Sequence, residues 1–131
     1  MLLRLISAIE RATHQIGNSL AAVKGLDLNP TEAHILAHLA QHGATPIDGL
    51  RKALGLHHST LTSVIKRLEA RRLVTRRVHP DDRRSYLVNL TAKGRAASRR
   101  VIDALMAVSA TALSDVSPST RAELLRVLLR F

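Results

Sequence analysis

GLHHSTLTSVIKRLEARRLVTRRVHPDDRRSYLVNL, residues 55–90, decides the fold. Leu61, Val64, Ile65 and Leu68 recur at steps of three and four, the spacing of one helical face, so a helix is predicted from His57 or His58 to about Arg71. Thr60, Thr62, Ser63, Lys66 and Arg67 fall mostly on its polar side. Leu73–Val78 and Ser85–Leu90 are β-prone and flank His79-Pro80-Asp81-Asp82-Arg83-Arg84, which reads as a hairpin with a long tip. Upstream, Gly55-Leu56-His57 separates the helix from a shorter one carrying Leu50 and Leu54. Two short helices joined by so tight a turn form a helix-turn-helix, and the hairpin directly after it is a wing.

Working outward, Asn29-Pro30-Thr31-Glu32 opens another helix, with asparagine as cap, proline at the first helical position and glutamate three residues after the cap. Ala33, Ile35, Leu36, Leu39 and Ala40 form its expected buried face, and Gly43 stops it. Thr45-Pro46-Ile47-Asp48 repeats the same start grammar for the helix of Leu50. The first helix runs from Leu2 to about Lys24 on Leu2, Leu5, Ile6, Ile9, Ile16, Leu20 and Val23. Thr91 caps a long helix to about Leu113, and Ser117-Pro118 starts a last one. There Leu124, Leu125, Val127, Leu128 and Leu129 run together, and a helix apolar nearly all round needs a buried home. The fold class is mainly α with a small β-hairpin wing.

The 131 residues suit one domain, and 46% apolar with 23% charged residues describes a globular chain. The net charge is +10. Residues 51–100 hold fourteen basic and three acidic side chains, while the remainder holds six and seven. One segment thus carries the whole positive field, the footprint of a polyanionic partner. Tyr86 and Phe131 are the only aromatics, too few to stack single-stranded bases, so double-stranded DNA is favoured. The absence of cysteine excludes disulfides and thiolate chemistry. No stretch approaches the length of a membrane span, and the N-terminus lacks the pattern of a secretory signal. A cytoplasmic protein with no membrane partner is expected.

In a helix-turn-helix the start of the second helix meets base edges in the major groove. His58, Ser59, Thr60, Thr62, Ser63 and Lys66 are the candidates, with Arg67 reaching a base or a phosphate. Arg76 on the hairpin and Arg83 and Arg84 at its tip complete the DNA-binding set, the tip being suited to the minor groove. His34, His38 and His42 are spaced by four and share one side of their helix, a spacing that suits a metal ion as well as a plain polar face. No Gly-rich phosphate loop, G-x-S-x-G or H-E-x-x-H is present, so no enzyme and no cofactor is expected.

LNPTEAHILAHLAQHG (28–43), GLHHSTLTSVIKRLEARRLVTRR (55–77) and above all HPDDRRSYLVNLTAKG (79–94) make the chain resemble the MarR (multiple antibiotic resistance regulator) family of winged helix-turn-helix transcription factors. The resemblance implies one domain over 1–131. Within it, 28–91 form the DNA-binding lobe, and 1–27 and 92–131 supply dimerisation helices. It implies a homodimeric regulator, a repressor on a pseudo-palindromic operator, released by a small anionic or phenolic ligand. It also implies that Asp82 orients an adjacent arginine. The family often has glycine where this chain has Arg72, at a left-handed position after the recognition helix. The alternatives to this reading are a histidine-liganded metal-responsive regulator and a non-specific architectural DNA binder.

Overall fold

The computed structural model describes residues 1–23 and 25–130. Lys24, the expected end of the first helix, and Phe131 lie outside the described residues. The order is α1 (Leu2–Ala21), α2 (Pro30–His42), β1 (Thr45–Pro46), α3 (Ile47–Leu54), α4 (His58–Ala70), β2 (Val74–Val78), β3 (Tyr86–Leu90), α5 (Ala92–Ala112) and α6 (Pro118–Leu128).

α2 is the central helix. The Asn29 side chain accepts the Glu32 N–H at 2.8 Å, and the Glu32 carboxylate accepts the Asn29 N–H at 3.1 Å. This reciprocal pair satisfies two amides that a helix start otherwise leaves unpaired. Enclosed by α1 and α5, α2 buries Glu32, Ala33, Ile35, Leu36, Ala37 and Leu39. Ala37 is thus inside and Ala40 is exposed, a correction to the expected face. The core joins Ile35, Leu36 and Leu39 to Leu50, to Leu61, Ile65 and Leu68 of α4, to Val74 and Val88 of the hairpin, and to Val101 of α5.

Two left-handed residues set the turns around α4. Gly55 (φ 62°) closes α3, with the Leu56 N–H donating to the Arg51 carbonyl at 3.1 Å. After α4, Arg72 adopts φ 59°. Its N–H bonds the Glu69 carbonyl and the Leu73 N–H bonds the Leu68 carbonyl, both at 2.9 Å. This is the Schellman closure that favours glycine, and arginine bears it at a cost of about 1–2 kcal/mol. Glycine's larger unfolded-state entropy offsets about half of that. Arg72→Gly is therefore expected to stabilise the fold by about 0.5–1 kcal/mol, raising Tm by a few degrees in calorimetry. An unchanged or lower Tm contradicts the strain.

The sheet has the antiparallel order β1-β3-β2. β2 and β3 pair from Val74↔Leu90 to Val78↔Tyr86. β1 corrects the expected start of α3: Thr45 and Pro46 pair with Val88 and Leu87, and the Thr45 hydroxyl donates to the Gly43 carbonyl at 2.9 Å. Pro46 occupies the cap position of α3 without a side-chain cap bond. Thr45 is drawn into the sheet because the fully buried Val88 strand needs covering on its second edge, and an edge tolerates a proline.

The terminal helices contrast with this core. α1 buries Leu20 and packs Ile16 nearby, with Val23 just after its end, while Leu2, Leu3, Leu5, Ile6 and Ile9 stay exposed. α6 has no buried residue, and Leu124, Leu125, Val127, Leu128 and Leu129 are between 44% and 76% exposed. The buried home that their apolarity demands is not supplied by the single chain. Among the described residues, no helix is long and apolar enough to cross a membrane.

Candidate nucleic-acid interface

Leu61, Val64, Ile65 and Leu68 are the four buried residues of α4. At roughly 100° per residue, the stripe directly opposite them carries Ser59, Ser63 and Lys66, all exposed. Thr62 lies on one flank and Thr60 and Arg67 on the other. His58 opens the helix and is also exposed. The Thr62 hydroxyl donates to the His58 carbonyl at 2.9 Å, leaving its oxygen as an acceptor. Neither Ser59 nor Thr60 caps α4; the cap position is His57, without a side-chain cap bond. The outward hydroxyls are therefore not consumed in building the helix start.

The wing tip is ordered by its own backbone. The His79 N–H donates to the Ser85 carbonyl, and the Ser85 N–H to the Asp82 carbonyl, both at 3.0 Å. The Asp81 N–H donates to His79 Nδ1 at 3.1 Å. The Asp82 Oδ1 accepts the Arg84 backbone N–H at 3.0 Å, a bond that closes the turn. Among the described residues, Asp82 makes no ion pair with the guanidinium of Arg83 or Arg84. Arg83 and Arg84 are exposed, and among the described residues neither makes an ion pair.

Arg76 and Arg67 are held differently. Arg76 Nη2 lies 2.8 Å from Glu69 Oε2, and its guanidinium sits 5.6 Å from the centre of the Tyr86 ring. It braces the recognition helix against the wing and keeps less freedom to meet DNA than the tip arginines. Arg67 Nε donates to Glu32 Oε1 at 3.1 Å while the side chain stays half exposed. Arg71 turns inward, donating to the Leu26 and Asp27 carbonyls at 2.6 and 2.7 Å. Lys93 Nζ donates to the Arg71 carbonyl at 3.1 Å. The sequence identified Glu32 only as half of a capping box. Its burial beneath α4 was the missed feature, and the sole hint was an acid beside an apolar face with cations to spare elsewhere.

The three histidines do not converge. The His38 and His42 rings lie 4.4 Å apart, centre to centre, tilted by 37°, and His34 lines a groove against α1 with Glu10 and His14. Partial burial, and secondarily the neighbouring His42, hold the His38 imidazole below its ordinary pKa. His34 and His38 are half-buried, so this side of α2 is not the freely solvated face the spacing suggested. Among the described residues, no group of three histidine, cysteine or acidic side chains is arranged to hold a metal ion.

A helix-turn-helix whose second helix shows an outward polar stripe, followed by a hairpin tipped with unpaired arginines, defines a winged-helix nucleic-acid-binding protein. The MarR family model matches residues 28–86, the lobe from the start of α2 to the start of β3. The chain is 30% identical over 93 residues to the HTH-type transcriptional regulator MhqR of Bacillus subtilis, covering 70% of this chain and 64% of that protein. It is also 30% identical over 93 residues to the HTH-type transcriptional repressor NicR of Pseudomonas putida, covering 71% and 59%. The match thus spans a little under two thirds of these curated relatives. A MarR-family transcriptional regulator from Silicibacter pomeroyi superposes with a TM-score of 0.82 at 27% identity, over 94% of this chain and 84% of that one. The chain is thus similar to MarR-family regulators in sequence across the lobe and in fold over nearly its whole length. Its relatives are transcriptional regulators, not enzymes.

Proposed function

We propose that two copies of this chain bind one pseudo-palindromic DNA duplex and repress the adjacent genes in the cytoplasm. The observation that carries this reading is the alignment of Ser59, Ser63 and Lys66 on the outer stripe of α4, together with a wing tip whose Arg83 and Arg84 are exposed and make no ion pair among the described residues. Residues 58–67 enter a major groove, and the wing tip reaches the flanking minor groove. Two half-sites then lie about one turn, ~10 bp, apart. Repression is supported by the similarity to NicR, a transcriptional repressor. Release by a small anionic or phenolic ligand is what the resemblance to the MarR family implies. Such a ligand must bind the two conformations with different affinities, by ~10⁴ to move the equilibrium from 1:99 to 99:1.

Footprinting on genomic fragments retained by the protein tests the reading. A dimer neutralising about eight phosphates should show log K falling with log[salt] at a slope near −7. Specific duplex should outcompete random duplex by ~10³ or more. A ratio near one identifies an architectural binder, and an absent or salt-insensitive footprint overturns duplex recognition.

A further inference from the structure

Glu32 is the only buried ionisable side chain among the described residues. A carboxylate out of water is tolerated only when its oxygens are fully engaged. Oε2 accepts the Asn29 N–H at 3.1 Å and lies 3.9 Å from Arg71 Nη1. Oε1 accepts Arg67 Nε at 3.1 Å. Two arginines of one helix therefore converge on this acid, and they are used in opposite ways. Arg71 spends its terminal nitrogens on the Leu26 and Asp27 carbonyls and ties down the loop after α1. Arg67 is held at Nε alone, and its side chain remains 52% exposed.

A guanidinium is planar, so a bond at Nε sets the direction in which the two terminal nitrogens face. Among the described residues, Arg67 Nη1 and Nη2 bond no side chain or carbonyl. Arg67 sits one turn beyond Ser63 and on the same flank as Thr60, at the edge of the outward stripe. That edge is where the sugar-phosphate backbone runs when a helix lies in the major groove, and the fork geometry matches a phosphate's oxygens.

Resting on the duplex-binding reading above, we propose that Glu32 is a positioning residue for DNA recognition: it aims the free fork of Arg67 at a backbone phosphate of the duplex. The opposing account, in which Glu32 is only a charge near DNA, predicts the opposite sign. Removing a negative charge from each subunit should then tighten binding to a polyanion.

The test uses the full chain and a duplex recovered from genomic fragments by the natural protein, titrated by fluorescence anisotropy across a salt series. Glu32→Gln keeps an amide oxygen for the Asn29 N–H, and it is expected to weaken binding about tenfold on all sequences. Arg67→Met should weaken it to a similar degree and make the salt slope shallower by about two per dimer, one phosphate from each subunit. Glu32→Gln placed in the Arg67→Met background should add nothing. Arg67→Lys keeps the charge without the fork and should lose as much as Glu32→Gln. Unchanged or tighter binding by Glu32→Gln overturns the proposal. So does an undiminished further loss in the Arg67→Met background, which would mark a purely structural role. If Glu32→Gln fails to fold, Arg67→Lys at its half-exposed position decides alone, and natural affinity in that variant overturns the proposal. A natural chain that retains no duplex overturns the DNA-binding reading itself, whereas binding that ignores these substitutions overturns only the role of Glu32.

Discussion

Alanine at Gly94 is expected to destabilise the chain by about 3 kcal/mol or more, lowering Tm by roughly 10 °C and exposing the wing to proteolysis. Gly94 is buried in the first turn of α5, where the Thr91 hydroxyl accepts its N–H at 2.9 Å. A Cβ built there overlaps the Leu73 carbonyl oxygen, lies 2.9 Å from its carbon and 3.2 Å from Leu90 Cδ2. The first obstacle is backbone, so no rotamer change relieves it. That carbonyl also accepts the Thr91 N–H at 3.1 Å, so moving it away breaks the join between α5 and the start of the wing. Thermal unfolding of Gly94→Ala beside the natural chain checks this. A Tm within two degrees would show that α5 can slide along the hairpin without loss. The same close approach explains why a glycine follows the Leu90-Thr91 end of the wing strand, a spacing that the sequence shows without its reason.

The sequence made the lobe legible because its elements are encoded locally. Leu61, Val64, Ile65 and Leu68 announce the inner face of α4, and all four are buried. The β-prone runs around Pro80 place β2 and β3 to within a residue or two. The resemblance to the MarR family implies glycine where Arg72 stands, and the positive φ of Arg72 shows the left-handed geometry kept in spite of the side chain. What stayed hidden depends on pairings remote in sequence. A two-residue strand has no periodicity, so Thr45-Pro46 reads as a helix cap until the β3 strand is placed beside it. The Glu32–Arg67 pair joins residues 35 positions apart and leaves no local trace. The histidine ladder misleads for the same reason: spacing by four shows a shared side, but His34 lines a groove against α1 while His38 meets His42, and among the described residues no three such groups are arranged to hold a metal. Arg76 looks like any other cation of the basic segment until Glu69 and Tyr86 are seen to hold it.

A chain carrying Leu125→Glu and Leu128→Glu is expected to be monomeric and to lose operator affinity by three orders of magnitude or more, with its lobe still folded. Both residues lie on α6, at 57% and 45% exposure, and no core residue of the lobe belongs to that helix. Each leucine moved from water into an interface contributes about 1.5–3 kcal/mol. Leu124, Leu125, Val127 and Leu128 of α6, Leu129 at its cap, and Leu2, Leu3, Leu5, Ile6 and Ile9 of α1 are all exposed apolar side chains on which a second copy could close. Two glutamates in such a seam would have to be buried unpaired or keep the copies apart, and separation is the cheaper outcome. The loss on DNA follows from multivalency. Once one lobe is docked, a dimer presents the second at high effective concentration, whereas a monomer has only the affinity of a half-site. Sedimentation equilibrium reads the mass, circular dichroism the lobe, and anisotropy the affinity. A double variant that remains dimeric would place the seam elsewhere. A monomer binding the operator as tightly as the natural chain would mean that each lobe recognises its half-site alone, and that the apolar ends of the chain serve some purpose other than pairing two recognition helices on one face of the duplex.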